Sequence, residues 1–468
     1  MATRVAIVGG GISGLSTAFR IRQRLPEAEL LVLEAGERLG GSMATRQVSG
    51  YRIETGPNGF LDNKPHTLEL VRDLGLEDRL LPADAASKIR YLFLDGRLVP
   101  LPTSPPGFLL SSVLPWHAKL RVLLEPWRPV GPGDETLAEF GRRRLGKAVV
   151  ERLLDPFVAG IFAGAPQQLS VAAAFPAVKA LEQEYGSLIR GMRARARARR
   201  RGGEAVAGSP AGGATGPSGH LHSFKEGMGE LVAALEGRLG ESVLRSVRVR
   251  EVRRVGEAFE VHCEDGRSER VDAVVSAAPA FRAAEYLRPL SEPLAEALSA
   301  IPYAAVAVVA TGFKREDFDH PLCGFGFICP SREQRRILGV LFTSSIYPGH
   351  RAPEGRVLLR TMVGGVRAPE LVSLPDEALV ELVREEHCVT MGVRWGEPEV
   401  VEIVRWPRGI PQYEVGHLER VARIEALCAE VGGLFVTGNH QRGVGVNDCV
   451  RDAGRIAEAV HRWVTQRG

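Results

Sequence analysis

A strand, a glycine turn, a helix and a second strand follow one another within the first 34 residues, and that order leaves few folds open. Arg4 to Val8 (RVAIV) reads as a short buried strand, Ile12 to Leu25 as a helix and Leu30 to Glu34 (LLVLE) as the next strand. Between the first two, Gly9, Gly11 and Gly14 fit G-x-G-x-x-G, with Gly10, Ile12 and Ser13 completing the turn. Gly9 permits the sharp turn, Gly11 lets backbone approach a pyrophosphate on the helix N-terminus, and Gly14 lets helix and strand lie close. Glu34 stands twenty residues beyond Gly14, where its carboxylate can accept hydrogen bonds from ribose hydroxyls. A glycine-rich turn with no ligand is the bland alternative. The whole unit, in its strand-to-helix context, favours a bound dinucleotide.

Which dinucleotide follows from the next residues. Glu34 opens the pattern E-x-x-x-R-x-G-G, with Arg38, Gly40 and Gly41 forming a second glycine loop that an NAD domain does not need. The pattern points to FAD. Near the other end, Leu434 to Thr437 reads as a strand running into Gly438 and Asn439. The run Gly443 to Asp448, which includes Val444, Gly445 and Val446, then leads into a closing helix over Cys449 to Trp463. Small residues entering a helix can bring its positive end against a flavin, where negative charge develops on reduction. A plain helix start capped by Asn447 or Asp448 is the competing reading, and the two are compatible. If both ends of the chain join one sheet, the middle is inserted into a nucleotide-binding domain.

A chain of 468 residues exceeds one ordinary core, so two or three domains are expected. The net charge of +4 is small, and Arg193, Arg195, Arg197, Arg199, Arg200 and Arg201 account for more than all of it, which argues against a nucleic-acid surface. Cys263, Cys323, Cys329, Cys388, Cys428 and Cys449 are scattered without a C-x-x-C pair, so neither a metal site nor a disulfide framework is expected. A reducing cytoplasm fits that usage and the absence of an export signal. No stretch is apolar for long enough to span a bilayer. The segment Pro105 to Trp127 mixes Phe108, Leu109, Leu110, Leu114 and Trp116 with Lys119 and Arg121. It suits either an interfacial helix or packing against a neighbouring domain.

The elements VAIVGGGISGLSTA, LEAGERLGGS, ETGPNGF, DPFVAGIFAGAPQQLSVAAAFP, GFGFICP, RWPRGIPQYEVGHLERV and GNHQRGVGVNDCV occur in this order along nearly the whole chain. Together they resemble the HemY-type protoporphyrinogen oxidases of haem synthesis. The first two elements are shared with amine oxidases and say only that a flavin binds. The segments around Gly160, Pro411 to Tyr413 and Gly443 to Cys449 are the restrictive ones. The resemblance implies an α/β fold, with an FAD-binding Rossmann-like domain of the glutathione-reductase type, an inserted α+β substrate domain and a helical membrane-associating domain. The matching limits are 1–85, 220–284 and 420–468 for the first, 86–100 and 285–419 for the second and 101–192 for the third, with a flexible Arg/Gly-rich loop over 193–219.

Carried over by position, the resemblance implies that Gly9 to Gly14, Glu34, Ala35, Ser42, Gly56, Pro57, Asn58 and Gly59 line the FAD. It adds Val249 at the adenine, Trp406 near the flavin and Val444 to Val446 at its ring system. On the substrate side it implies Arg90 for a propionate, Ile328, Leu341 and Met362 against the macrocycle, and Gly160 beside the bridging carbon. By themselves Ile328, Leu341 and Met362 read as core residues. The implied reaction oxidises a porphyrinogen with oxygen, with protoporphyrinogen IX the expected substrate and coproporphyrinogen III the nearest rival. Peripheral contact with the inner face of the cell membrane and a homodimer are compatible with it. His440 is the one histidine beside a cofactor motif and is not assigned as a base. Flavin-free escort proteins share a related fold as binding modules, and would be colourless.

Overall fold

The computed structural model describes residues 3–102, 104–131, 133–200 and 219–467. The strand Arg4–Val8 lies in the middle of a five-stranded parallel sheet, in the order Val243–Leu244, Glu29–Leu33, Arg4–Val8, Ala273–Ser276, Leu434–Val436. Both ends of the chain therefore do join one sheet. Strand residues alternate between its faces. Val5 and Ile7 pack with Leu15, Leu231, Val450 and Val460 from the helices Ile12–Arg24, Gly229–Leu239 and Val446–Thr465. Ala6 and Val8 meet the antiparallel meander Val249–Val255, Ala258–Cys263, Ser268–Val271 and a second set of helices. The chain leaves Arg4–Val8 toward one neighbour at once and reaches the other only at Ala273. That makes the strand's C-terminal end a topological switch point, where doubly wound sheets bind ligands.

The helix Glu292–Ser299 buries Leu294, Ala295 and Leu298 in the same cluster as Ala6 and Val8. The nucleotide-side layers thus run on to Ile301, past the expected limit at 284, because this helix's apolar face finds its partner there. The remainder of 285–419 supplies most of a seven-stranded sheet in the order Val400–Pro411, Tyr303–Lys314, Arg356–Gly364, Ile337–Leu341, Gly326–Ile328, Arg90–Leu94, Arg97–Pro100. The last two strands bring 86–100 into it, as expected. One face of this sheet, with Ala307, Val309, Val340, Leu359 and Val363, is covered by Leu379, Leu382 and Val383 of the helix Asp376–Met391.

Helices fill the segment between the sheets, among them Trp116–Leu123, Leu137–Arg144, Asp155–Phe162 and Pro176–Tyr185. Fully buried Arg144 pairs with Glu182 at 2.7 Å and Glu125 at 3.2 Å. Glu125 in turn accepts hydrogen bonds from the backbone N–H groups of Leu188 and Ile189, at the start of the helix Leu188–Arg200. The arginine run is therefore helical as far as Arg200, where a loop was expected from 193. Alternating Ala and Arg are both strong helix formers, and the carboxylate at the N-terminus favours the same outcome. Residues 201–218 of the expected loop lie outside the described residues. No helix among the described residues is long and apolar enough to cross a membrane.

Candidate active site

The two helices that begin at the glycine motifs, Ile12–Arg24 and Val446–Thr465, pack against each other. Neither has a side-chain cap, since both start at a glycine, Gly11 and Gly445. Their leading N–H groups are thus free to meet a ligand. A Cβ on Gly11 would meet nothing within 4 Å, so open space lies over this helix end, whereas one on Gly14 would sit 1.9 Å from the Gly9 carbonyl oxygen. Gly11 gives access and Gly14 gives contact, as the spacing predicts. The alternative of Asn447 or Asp448 as a cap fails. Asn447 donates to the Leu61 carbonyl at 2.6 Å, and Asp448 pairs with Lys64 at 2.6 Å.

The second glycine loop is tied to the first. Gly40 donates to the Gly10 carbonyl at 2.8 Å, and Gly11 bridges to Gly40. Glu34, followed by Ala35, accepts from the N–H of Gly10 and of Gly36, each at 2.7 Å, which fixes the carboxylate and leaves lone pairs over for hydroxyl donors. Arg38 donates to the carbonyls of Leu39 and Gly41, so its guanidinium is engaged in holding its own loop and does not stand free beside a phosphate. The Ser42 carbonyl accepts from the Thr55 hydroxyl and so ties this loop to the segment Gly56, Pro57, Asn58, Gly59. The Asn58 side-chain amide has no partner at either end, although both atoms are buried. Val249 follows residues 244–247, whose backbone pairs with Glu34 and Gly36.

Tyr413 clamps the C-terminal loop. Its hydroxyl donates to the Asn439 carbonyl and accepts from the Gly443 N–H, while its ring stacks on His417 at 4.1 Å. Next to it, Gln412 donates to the Phe162 carbonyl at 2.8 Å and so links this loop to the helix that carries Gly160. His440, beside Gly438, is 1% exposed with neither ring nitrogen bonded, and burial pushes it down to about 3. Burial thus favours the neutral ring, which is a weak base.

On the free face of the seven-stranded sheet the register sets two rows of side chains. Ile328 pairs with Gly339 and Gly339 with Met362. Two residues along, Arg90 pairs with Gly326, Gly326 with Leu341 and Leu341 with Arg360. Directly paired residues share a face, so Arg90, Ile328, Leu341 and Met362 stand together. Gly160 on the helix Asp155–Phe162 lies against them, since a Cβ there would be 2.7 Å from the Ile328 Cδ1. Trp406 stands on the same face two residues along from the Met362 row, paired with Val306, and donates to the Thr55 carbonyl at 2.9 Å, next to the Gly56 segment. Arg90 stacks over Phe325 at 5.0 Å, is depressed by desolvation, and has no carboxylate partner among the described residues.

The site is therefore an anion-binding cradle of two helix ends and two glycine loops, beside an aliphatic sheet face with a cation at its rim. The family model for flavin-containing amine oxidoreductases matches residues 12–461. The chain belongs to this family. Its cofactor is FAD, and the open space above Gly11, the uncapped helices and the unpartnered Asn58 amide fit that group. The chain is 35% identical over 489 residues to protoporphyrinogen oxidase 1, chloroplastic, of Arabidopsis thaliana, covering 99% of this chain and 89% of the relative. It is 32% identical over 469 residues to the coproporphyrinogen III oxidase of Bacillus subtilis (strain 168), covering 97% and 96%. A solved structure from Exiguobacterium sp. 255-15, which carries a provisional protoporphyrinogen oxidase name, matches with a TM-score of 0.83 at 29% identity, over 98% of this chain and 99% of that one.

Arg360 was missed at the sequence level. The only signal was an arginine inside the apolar run Val357 to Val363 of the strand Arg356–Gly364, at the parity of Met362.

Proposed function

We propose that this member of the flavin amine oxidase family is an oxygen-dependent porphyrinogen oxidase of haem synthesis, converting protoporphyrinogen IX to protoporphyrin IX. The observation that carries the reading is Arg90: a half-buried cation without a carboxylate partner among the described residues, on the sheet face that carries Ile328, Leu341 and Met362. A porphyrinogen is a broad apolar ring with carboxylates along one side, and needs such a wall and such a rim. The full-length likeness to protoporphyrinogen and coproporphyrinogen III oxidases supports the same substrate class.

In this reading Arg90 holds a propionate by a charge-assisted hydrogen bond. Ile328, Leu341 and Met362 form the wall on one side of the macrocycle. Gly160, lacking a side chain and packed against Ile328, lets helix backbone border the macrocycle beside that wall. Bound FAD supplies a two-electron acceptor for hydride from a bridging methylene carbon, with oxygen as the final acceptor and peroxide as the product. The pyrrole proton is lost toward solvent, since burial lowers His440 far below its usual range and leaves it a weak base.

Coproporphyrinogen III is the second reading, favoured by the match to the Bacillus enzyme over 96% of its length. Its four propionates would need cations at more than one edge. An aerobic assay of the flavin-loaded protein with each porphyrinogen, followed by porphyrin fluorescence, tests both. Faster turnover of the four-propionate substrate replaces the first reading with the second; no turnover of either, with flavin bound, rejects the class.

The same proposal includes peripheral membrane contact through the segment around Trp116–Leu123. Leu110 is 89% exposed, Trp116 75% and Trp127 73%, with Leu109, Leu120 and Leu123 beside them in sequence. Large side chains crowded in this way mark interaction surfaces, and Lys119 and Arg121 suit anionic headgroups.

A further inference from the structure

Where the sheet face meets the cofactor cradle, the protein buries more positive charge than negative. Arg351 is fully buried and Arg360 is 3% exposed. Glu54, also fully buried, lies with them. Glu54 sits 3.6 Å from Arg351, and among the described residues Arg360 has no ion pair at all. The two arginines differ in their other contacts. Arg351 is held by the Ser223 hydroxyl at 2.7 Å and the Phe224 carbonyl at 3.1 Å, and its guanidinium lies over the Tyr347 ring at 4.7 Å. Among the described residues Arg360 donates only to the Gly56 carbonyl at 2.8 Å, and the Nε of neither arginine has a partner. Two guanidiniums against one carboxylate leave a buried excess of one positive charge. Such an excess is costly in a low-dielectric interior unless an anion arrives to meet it. Desolvation, opposed by Glu54 and aided by Arg351, pushes Arg360 down to about 10.

The position of Arg360 says which anion. Its hydrogen-bond partner, Gly56, begins the segment that carries the unpartnered Asn58 amide. On the strand it is two residues from Met362 and directly paired with Leu341, so it stands where substrate wall and cofactor segment touch. We propose that Arg360 is the electrostatic partner of the negative charge that FAD gains on reduction, and thereby raises the two-electron potential of the bound cofactor. The balance requires such a partner. Hydride transfer from a substrate C–H moves two electrons and one proton to the flavin, which adds one unit of negative charge there until reoxidation. The substrate cation left behind loses its N–H proton to solvent. A fixed cation already in place costs no reorganisation when that charge forms. The inference rests on FAD as cofactor and not on which porphyrinogen is oxidised.

The test is the midpoint potential of the loaded protein, titrated anaerobically against a reference dye in the absence of substrate. R360M should weaken the hold on reduced relative to oxidised FAD by about tenfold, which is a fall of about 30 mV. R360K, which keeps the charge, should recover most of it. R351M, measured beside them, should lose stability with a smaller change in potential. Working with FAD in excess and with binding constants for both oxidation states keeps the comparison valid for a variant that holds flavin weakly. Equal loss of affinity for both states in R360M would make Arg360 purely structural and overturn the proposal. So would an unchanged potential accompanied by a raised KM for porphyrinogen, which would place a substrate carboxylate on this cation instead.

Discussion

At the scale of single residues, this chain places charge where folding alone gives it no reason to be. Arg90 keeps its cation–π contact with Phe325 but has no counter-ion among the described residues, so replacing it should disturb the fold little. We expect R90A to raise KM for a propionate-bearing porphyrinogen by about tenfold or more, the size of a lost charge-assisted hydrogen bond, with flavin content unchanged. Steady-state kinetics beside flavin absorbance decides it, and unaltered KM removes Arg90 from the substrate rim. The buried histidines make a second prediction. Burial holds His387 and His440 near 3 and His417 near 4. An unfolded histidine titrates near 6.5, so below that pH the unfolded chain binds protons that the folded one refuses. Their contribution is complete above about 6.5 and is lost as pH falls toward the folded values. Glu54 has the opposite sign: burial raises its carboxyl, so as pH falls through that raised value the folded chain takes up a proton and regains stability. Stability should therefore drop between pH 7 and pH 5, by about 2 kcal/mol for each ring that stays neutral, less what Glu54 returns. Urea unfolding midpoints at the two pH values measure it; equal midpoints mean that these rings protonate freely in the folded state.

At the scale of elements, Tyr413 joins two loops that sequence distance separates. Y413F removes the donor to Asn439 and the acceptor for Gly443 while keeping the stack on His417. The loss of two partly buried hydrogen bonds should cost about 1–3 kcal/mol. Because the released loop leads to the helix end at Gly445, FAD affinity should fall with stability. A flavin dissociation constant equal to wild type would show that the loop is held without the clamp. The exposed helix Trp116–Leu123 is tested by liposome co-sedimentation. W116S combined with L110S should abolish binding to vesicles of anionic lipid, and no binding by the wild type rejects the membrane contact. Elements were legible in the sequence where the signal is local. The strand Arg4–Val8 and the start of its helix at Ile12 were read to the residue, because glycine spacing and apolar runs act within a few positions. The closing helix begins at Val446 instead of Cys449, since uncapped small residues give no mark of a helix start. The limit at 284 put the helix Glu292–Ser299 with the other sheet, because an apolar face does not say which core receives it. Arg360 was invisible for the same reason: a buried charge is defined by what surrounds it in space.

At the scale of the whole molecule, the proposed cofactor cradle draws on residues 9–14, 34–42, 55–59 and 438–446, which sequence distance separates. The seven-stranded sheet reaches it through two hydrogen bonds, Trp406 to the Thr55 carbonyl and Arg360 to the Gly56 carbonyl. Residues 55–59 in turn touch the parallel-sheet half through Ser42. Besides this connection, Tyr51 and Ile53 pack with Ala310, Leu358 and Val400 of the seven-stranded sheet, and the Ala280 N–H donates to the Tyr303 hydroxyl at 3.0 Å. A dinucleotide lying across those segments binds only when both halves are folded and adjacent, so its binding free energy is added to their joint stability. With FAD at about 100 times its dissociation constant, that amounts to about 2.7 kcal/mol. Differential scanning calorimetry should show one cooperative transition for the loaded protein, at a higher temperature than the apoprotein and with calorimetric and van't Hoff enthalpies equal. Stripping the flavin should lower that temperature and broaden or split the transition. If only one of two separate transitions responds to FAD, the sheets unfold independently and the connection through residues 55–59 carries no coupling.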